Sequence, residues 1–312
     1  MIRILAAAAL ALVCAAPASA ASQAATCATL PAAVATAPAG STINLAKGST
    51  CENLVLKRTI AGQVIINAGR SVARGVTFGG SGITWRSGAI VAPKGVTGKA
   101  GEVYGVLIRG YVGKPTSKIR IEGVAFGLSR KAVVIDTASD ITITKNRFDG
   151  VGEDGVIASA VTRLTVTGNT FRNVVGKPTS CTTAGGVIPG LSSRDCVARG
   201  GAWTDGYHAD AVQMRNGVTD ARIADNVINA DTQGITQMDT TGDAPLVRVR
   251  VERNSVTATI HHITLGANCV DCLIRGNTIR RYKPTSYKAV IRPGAARRCA
   301  NDTVDEPRDV AC

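Results

Sequence analysis

Five stretches of the chain repeat one pattern of apolar and polar positions. Each is a short alternating run, then Asn, one variable residue and an apolar residue: ITITKNRF (141–148), LTVTGNTF (164–171), ARIADNVI (221–228), VRVERNSV (249–256) and CLIRGNTI (272–279). The asparagines are Asn146, Asn169, Asn226, Asn254 and Asn277, at intervals of 23, 57, 28 and 23 residues. The interval of 57 is one period of 23 plus an excess of 34, and the excess contains Cys181 and Cys196. Upstream, IRIEGVAF (119–126) puts Gly123 in the Asn slot, and ARGVTF (73–78) puts Gly75 there about two periods earlier. Alternation with period 2 predicts strands with one apolar row turned inward. Asn or Gly at fixed phase predicts a tight corner in left-handed backbone, and stacked asparagines can hydrogen-bond from coil to coil. One coil cannot bury its apolar row alone, but a stack can. An all-β solenoid of parallel strands with about 23 residues per coil follows.

The ends of a solenoid need covers. Residues 27–37 (CATLPAAVATA) predict a short N-terminal capping helix, 41–45 the first strand, and 297–312 a polar tail strapped over the last coil. Residues 1–20 read as a signal peptide, with Arg3, an apolar run and Ala18-Ser19-Ala20 as cleavage site. The expected organisation is therefore a leader (1–20) and a single solenoid domain (21–312) with an insertion at 176–206.

Composition adds three constraints. Only 4% of the 312 residues are aromatic, so small β-branched side chains must fill the core. Eight cysteines remain after the leader, an even number that suggests disulfides in an exported protein. Neighbours in order would pair as Cys27–Cys51, Cys181–Cys196, Cys269–Cys272 and Cys299–Cys312; the Cys269/Cys272 pair is alternatively a redox or zinc pair. The formal charge of +14 predisposes the protein to a polyanion. Few aromatics and no concentrated basic helix argue against nucleic acid, and no later apolar run is long enough to span a membrane. A secreted or periplasmic monomer is expected.

The opening AVATAPAGSTINLAKGSTCENLVL, followed by repeated xNxF/I coils, resembles the right-handed parallel β-helix superfamily that includes pectate lyases, polygalacturonases and alginate-modifying epimerases. The resemblance implies that fold over nearly all of the mature chain. It does not single out a chemistry, since that superfamily hosts lyases, hydrolases, epimerases and non-catalytic adhesins.

Each coil carries a second strand before its Asn strand: KAVVID (131–136), DGVIAS (154–159), DAVQMR (210–215), QGITQM (233–238) and HHITLG (261–266). The third position is always Val or Ile and should face inward. The first position reads Lys131, Asp154, Asp210, Gln233, His261, and the fourth, facing out, Val134, Ile157, Gln213, Thr236, Thr264. At a rise of about 4.8 Å per coil the first column is a polar line roughly 20 Å long, suited to an extended polysaccharide. The segment Asp205-Gly-Tyr-His-Ala-Asp-Ala-Val-Gln213 follows the insertion directly. In β-elimination or C5-epimerisation of a uronate, His208 or Tyr207 would serve as base and acid, with Lys131 or Arg215 neutralising the carboxylate. Gln213, Arg215, Gln233, Thr236 and His261 are the expected substrate contacts. In glycoside hydrolysis, Asp154 and Asp210 would be the two carboxylates. A non-catalytic carbohydrate-binding surface is the third reading.

The alginate-modifying relatives use a Tyr, His, Asp and Lys set, which Tyr207, His208, Asp210 and Lys131 resemble. The polygalacturonase arrangement would make Asp210 an acid with His261 beside it, although that family's paired aspartates correspond here to Thr232 and Gln233. Glu153, Asp154, Asp205 and Asp210 are oxygen donors that would suit Ca²⁺. Lys-Pro-Thr-Ser, at 114–117, 177–180 and 283–286, reads as solvated turns.

Overall fold

The computed structural model describes residues 21–93, 104–111, 113–174, 180–183, 185–189, 200, 202–204, 209–231, 233–237, 242–282 and 288–312, with backbone alone at 180–182, 186–189 and 202–204. Strands dominate and every pairing between strands of the main sheet is parallel, in the winding of a right-handed parallel β-helix. Three strand rows run along it. The first contains Tyr104–Arg109, Asp210–Arg215 and Gln233–Gln237; the second Thr116–Glu122, Arg222–Ala224 and Arg250–Glu252; the third Arg147–Asp149, Thr170–Val174 and Val227–Ala230. The strands Lys131–Thr144 and Asp154–Thr167 each pass from the first row into the second without a break in pairing.

The inward positions form one continuous core. Ile121, Ile143, Val166, Ile223, Val251 and Ile274 are fully or almost fully buried in successive coils. Few rings are needed, and three of them stack: Phe126, Phe148 and Phe171 lie 4.7 and 4.4 Å apart, centroid to centroid.

The asparagines form a buried ladder. Asn146 Nδ2 donates to Asn169 Oδ1 at 3.0 Å, and the same bond recurs to Asn226, Asn254 and Asn277. Asn301 adds a rung that the sequence pattern did not reveal. Two expectations are corrected. The left-handed residue is the one before each Asn: Lys145, Gly168, Asp225, Arg253 and Gly276 have φ between 52° and 65°. Gly123 belongs to that corner column, because Ile119 pairs with Ile141 and this sets Val124 opposite Asn146. Gly75 turns a different corner, opposite Asn53 and just ahead of the first row. An Asn side chain committed to the ladder fixes its own backbone, so the strain falls on its neighbour.

A further corner column reads Lys118, Asp140, Arg163, Asp220, Arg248, Asp271, all with positive φ. Its charges alternate coil by coil. Arg163 grips Asp140 with two hydrogen bonds, of 2.5 and 2.8 Å, and Arg248 grips Asp220 likewise at 2.5 and 2.9 Å.

The N-terminal cover is α1 (Leu30–Thr36), shorter than 27–37, with the first expected strand at Thr42–Leu45 and an unexpected one, Ser22–Ala25, preceding it. Arg58 is fully buried beneath α1 and donates to the carbonyls of Val34 (3.0 Å) and Ala37 (2.8 Å) at the end of the helix. Burial alone pushes its pKa down. Arg58→Leu should strip two buried carbonyls of a charged donor, a loss of about 2–3 kcal/mol. Thermal unfolding of the variant checks it, and a midpoint unchanged from wild type refutes it.

Cys27–Cys51, Cys269–Cys272 and Cys299–Cys312 are disulfides; Cys181–Cys196 lies outside the described residues. Between Val174 and Ala209, three short strands form a separate antiparallel sheet. At the far end Arg298 pairs with Glu306 and Asp309, which holds the tail against the last coil. Among the described residues no helix is long and apolar enough to cross a membrane.

Candidate active site

The first row breaks strict alternation, and that break creates the site. Its second and third positions both point inward. Val133, Val156, Val212, Ile235 and Ile263 fill the core from the third position. The second must then be small in most coils: Ala132, Gly155, Ala211, Gly234. A Cβ on Gly155 would lie 2.7 Å from the Phe171 ring, and one on Gly234 2.6 Å from a Val256 methyl. With two consecutive residues inside, the first and fourth positions emerge on the same outer side.

The pairing Lys131↔Asp154 and Asp210↔Gln233, with Val156↔Val212 and Ile235↔Ile263, sets Lys131, Asp154, Asp210, Gln233 and His261 in one column. The column is less open than the sequence suggests. Lys131 and His261 at its ends are half-buried, while Asp154 and Asp210 are only 3% and 2% exposed. The fourth position, expected to face solvent, is also screened: Ile157, Gln213 and Thr236 are buried. Gln213 and Thr236 both turn onto Asp210, one from the same strand and one from the next coil. Thr236 Oγ1 donates to Asp210 Oδ1 at 2.7 Å and Gln213 Nε2 donates to Asp210 Oδ2 at 2.7 Å. The Asp210 backbone N–H donates to Asp154 Oδ1 at 3.0 Å.

These contacts divide two carboxyls into two roles. Asp210 accepts a hydrogen bond on each oxygen, the arrangement that suits a carboxylate. Asp154 is pushed up to about 8, first by burial and then by the charge of Asp210, so it holds its proton at neutral pH. Lys131 pulls weakly in the opposite direction. Since Asp154 Oδ1 accepts from the backbone, the proton belongs on Oδ2. A buried carboxyl pushed up beside a second carboxyl that accepts a hydrogen bond on each oxygen is an arrangement that suits an acid–base pair.

A cavity of about 200 Å³ opens beside Asp210, lined also by Gln213, Gln233, Thr236, His261 and Thr264. It is smaller than the roughly 300–1,000 Å³ of common small-molecule sites, so it takes part of an extended ligand rather than the whole. His261 Nδ1 lies 3.0 Å from Arg292 Nη1. A guanidinium only donates, so Nδ1 accepts and Nε2 carries the proton of a neutral ring. Arg215 is exposed at the end of its strand, away from the cavity lining. Tyr207, His208, Asp205 and Thr232 lie outside the described residues.

Two cavity neighbours escaped the sequence reading. Gln237 also lines the cavity and accepts the Gly266 N–H at 2.7 Å. It occupies a position that Ala158 and Met214 fill with apolar side chains, so the pattern hid it. Arg292 stands opposite Thr264 in the fourth column. No Asn phase marked its strand, because Asn301 falls outside the five matching segments. Among the described residues no three such oxygen donors converge as the calcium set would require; Glu153 pairs with Arg130, and Asp205 lies outside the described residues.

No protein-family model matches the chain, and no curated protein does. A solved structure resembles it in fold. The crystal structure of the Dettilon tailspike protein superposes with a TM-score of 0.50 at 13% sequence identity, over 81% of this chain and 50% of that one. At that identity the likeness concerns the fold. The chain spans about half the length of the tailspike.

Proposed function

We propose that the protein is exported and cleaves a polysaccharide along the first row by hydrolysis, with Asp154 as proton donor and Asp210 as its ionised partner. The single observation that carries this is the Asp154–Asp210 pair, two buried carboxyls on adjacent coils, with Asp154 accepting the Asp210 N–H and Asp210 accepting a hydrogen bond on each oxygen. Asp154 would protonate the glycosidic oxygen as the bond to the anomeric carbon breaks. Asp210 would face the opposite demand, activating water or stabilising the developing positive charge on the ring. Gln213 and Thr236 hold Asp210 in place, while Gln233, Gln237 and His261 offer hydrogen bonds to sugar hydroxyls. The polar column repeats with the rung spacing, which suits a linear polymer better than a compact ligand.

A second reading, β-elimination or C5-epimerisation of a uronate, is favoured by cations at both ends of the row, Lys131 and Arg292. It would use Tyr207 and His208 as base and acid. Incubation with neutral and uronate polysaccharides separates the two. Hydrolysis releases reducing ends without ultraviolet absorbance, whereas elimination leaves an absorbing double bond. Asp210→Asn should cut reducing-end release by about 10²–10⁴-fold. Release at the wild-type rate from Asp210→Asn would remove Asp210 from the chemistry, and an absorbing product would replace hydrolysis with elimination.

A further inference from the structure

A second cavity, larger than the one beside Asp210, lies on the second row, around the corner from Asp154. It has a volume of about 630 Å³ and is lined by Thr84, Arg86, Lys118, Arg120, Glu122 and Asp140 among others. Its chemistry differs from that of the first row. Three cations, Arg86, Lys118 and Arg120, line it, whereas the first-row cavity is lined by amides, hydroxyls, one imidazole and one carboxyl. Its two carboxylates are already matched. Glu122 is held below the usual carboxylate range, first by the hydrogen bond from Arg120, with Arg86 and Lys145 adding their charges. Asp140 is held low by its hydrogen bond from Arg163, with Lys118 nearby. Five cations therefore surround two carboxylates. Among the described residues Lys118 makes no ion pair, and Arg86 reaches Glu122 only at 3.6 Å with half its side chain exposed.

Asp140 and Thr142 belong to the coil that begins at Lys131, and the next coil begins at Asp154. The basic depression therefore ends one rung, about 4.8 Å along the axis, from the carboxyl pair.

We propose that this depression is a second carbohydrate-binding site that takes anionic sugars, carboxylated or sulfated, and that Arg86 and Lys118 supply its contacts to the anionic groups. Binding here does not require cleavage, so this proposal stands or falls independently of the hydrolytic reading. Isothermal titration on the Asp154→Asn background measures binding without turnover. The probes are an oligogalacturonate, dextran sulfate and neutral dextran. A Arg86→Ala/Lys118→Ala double variant should lose about tenfold or more in affinity for at least one of the two anionic probes. Lys47→Ala/Lys57→Ala, which removes the same charge from exposed positions elsewhere, should lose far less. Neutral dextran should bind weakly to all forms. Unchanged affinity of the Arg86/Lys118 variant for both anionic probes would overturn the proposal. So would an equal loss in the Lys47/Lys57 control, which would reduce the effect to net charge, or neutral dextran binding as tightly as the anionic probes.

Discussion

Asp154→Asn should lose about 10²–10⁴-fold in cleavage rate and at the same time make the protein more stable at pH 8. Both effects come from one shifted proton. The ordinary value for this carboxyl is 3.8 and the folded value is about 8. Below the unfolded value both states are protonated, and folding carries no penalty at this residue. As pH rises from there toward 8 the unfolded chain ionises while the folded chain does not, so stability is progressively lost. By pH 8 the loss is on the order of 5 kcal/mol. Asn cannot ionise, and its carbonyl oxygen still accepts the Asp210 N–H. The variant should therefore outlast the wild type in thermal unfolding at pH 8 and match it at pH 4. A midpoint difference that does not vary with pH would show that Asp154 ionises normally. Wild-type cleavage should also fall away above about pH 8, as the donor loses its proton.

The other large effect is expected in the ladder. Asn226 Oδ1 accepts from the Asn169 backbone N–H (2.9 Å) and from Asn169 Nδ2 (3.0 Å), while its own Nδ2 donates to Asn254 Oδ1 and to the Val166 carbonyl, each at 2.9 Å. All four bonds are buried. Asn226→Ala leaves the Val166 carbonyl and the Asn169 N–H without these partners where no water replaces them. At about 1–3 kcal/mol per stranded group, a loss of about 2–6 kcal/mol is expected. Asn226→Asp should be no better, since it removes the donor and buries a charge. Equilibrium unfolding in urea measures this, and a loss below about 1 kcal/mol would mean that the ladder stacks without bearing stability.

The winding was legible in the sequence because its two periods are independent of each other. Period 2 marks the inward faces, and the recurring Asn counts the coils. The Asn phase assigned one first-row strand to each coil, with Lys131 and Asp154 lying 15 residues, Asp210 and His261 16 residues and Gln233 21 residues ahead of a ladder residue, and the Val or Ile at the third position then fixed the register. The corner was misread at Gly123 because Gly suits both a ladder gap and a left-handed turn, and only strand register separates them. Exposure was not legible either. Whether Gln213 and Thr236 face water depends on Asp210, which lies on the same strand as Gln213 but on the neighbouring coil from Thr236. The consecutive inward pair, such as Ala211 and Val212, is visible afterwards as a small residue before each Val or Ile. It could not be told in advance from ordinary alternation.

The step from Asn169 to Asn226 spans 57 residues, yet its ladder bond is 3.0 Å, the same as across the 23-residue steps. The stack therefore senses only where a segment leaves and rejoins it, not how much chain lies between. Segments of other lengths and sequences could be exchanged at the corner between Val174 and Ala209 at little thermodynamic cost to the coils on either side. In such a scaffold, new substrate preferences could arise by replacing outgrowths while the carboxyl pair beside them is inherited unchanged.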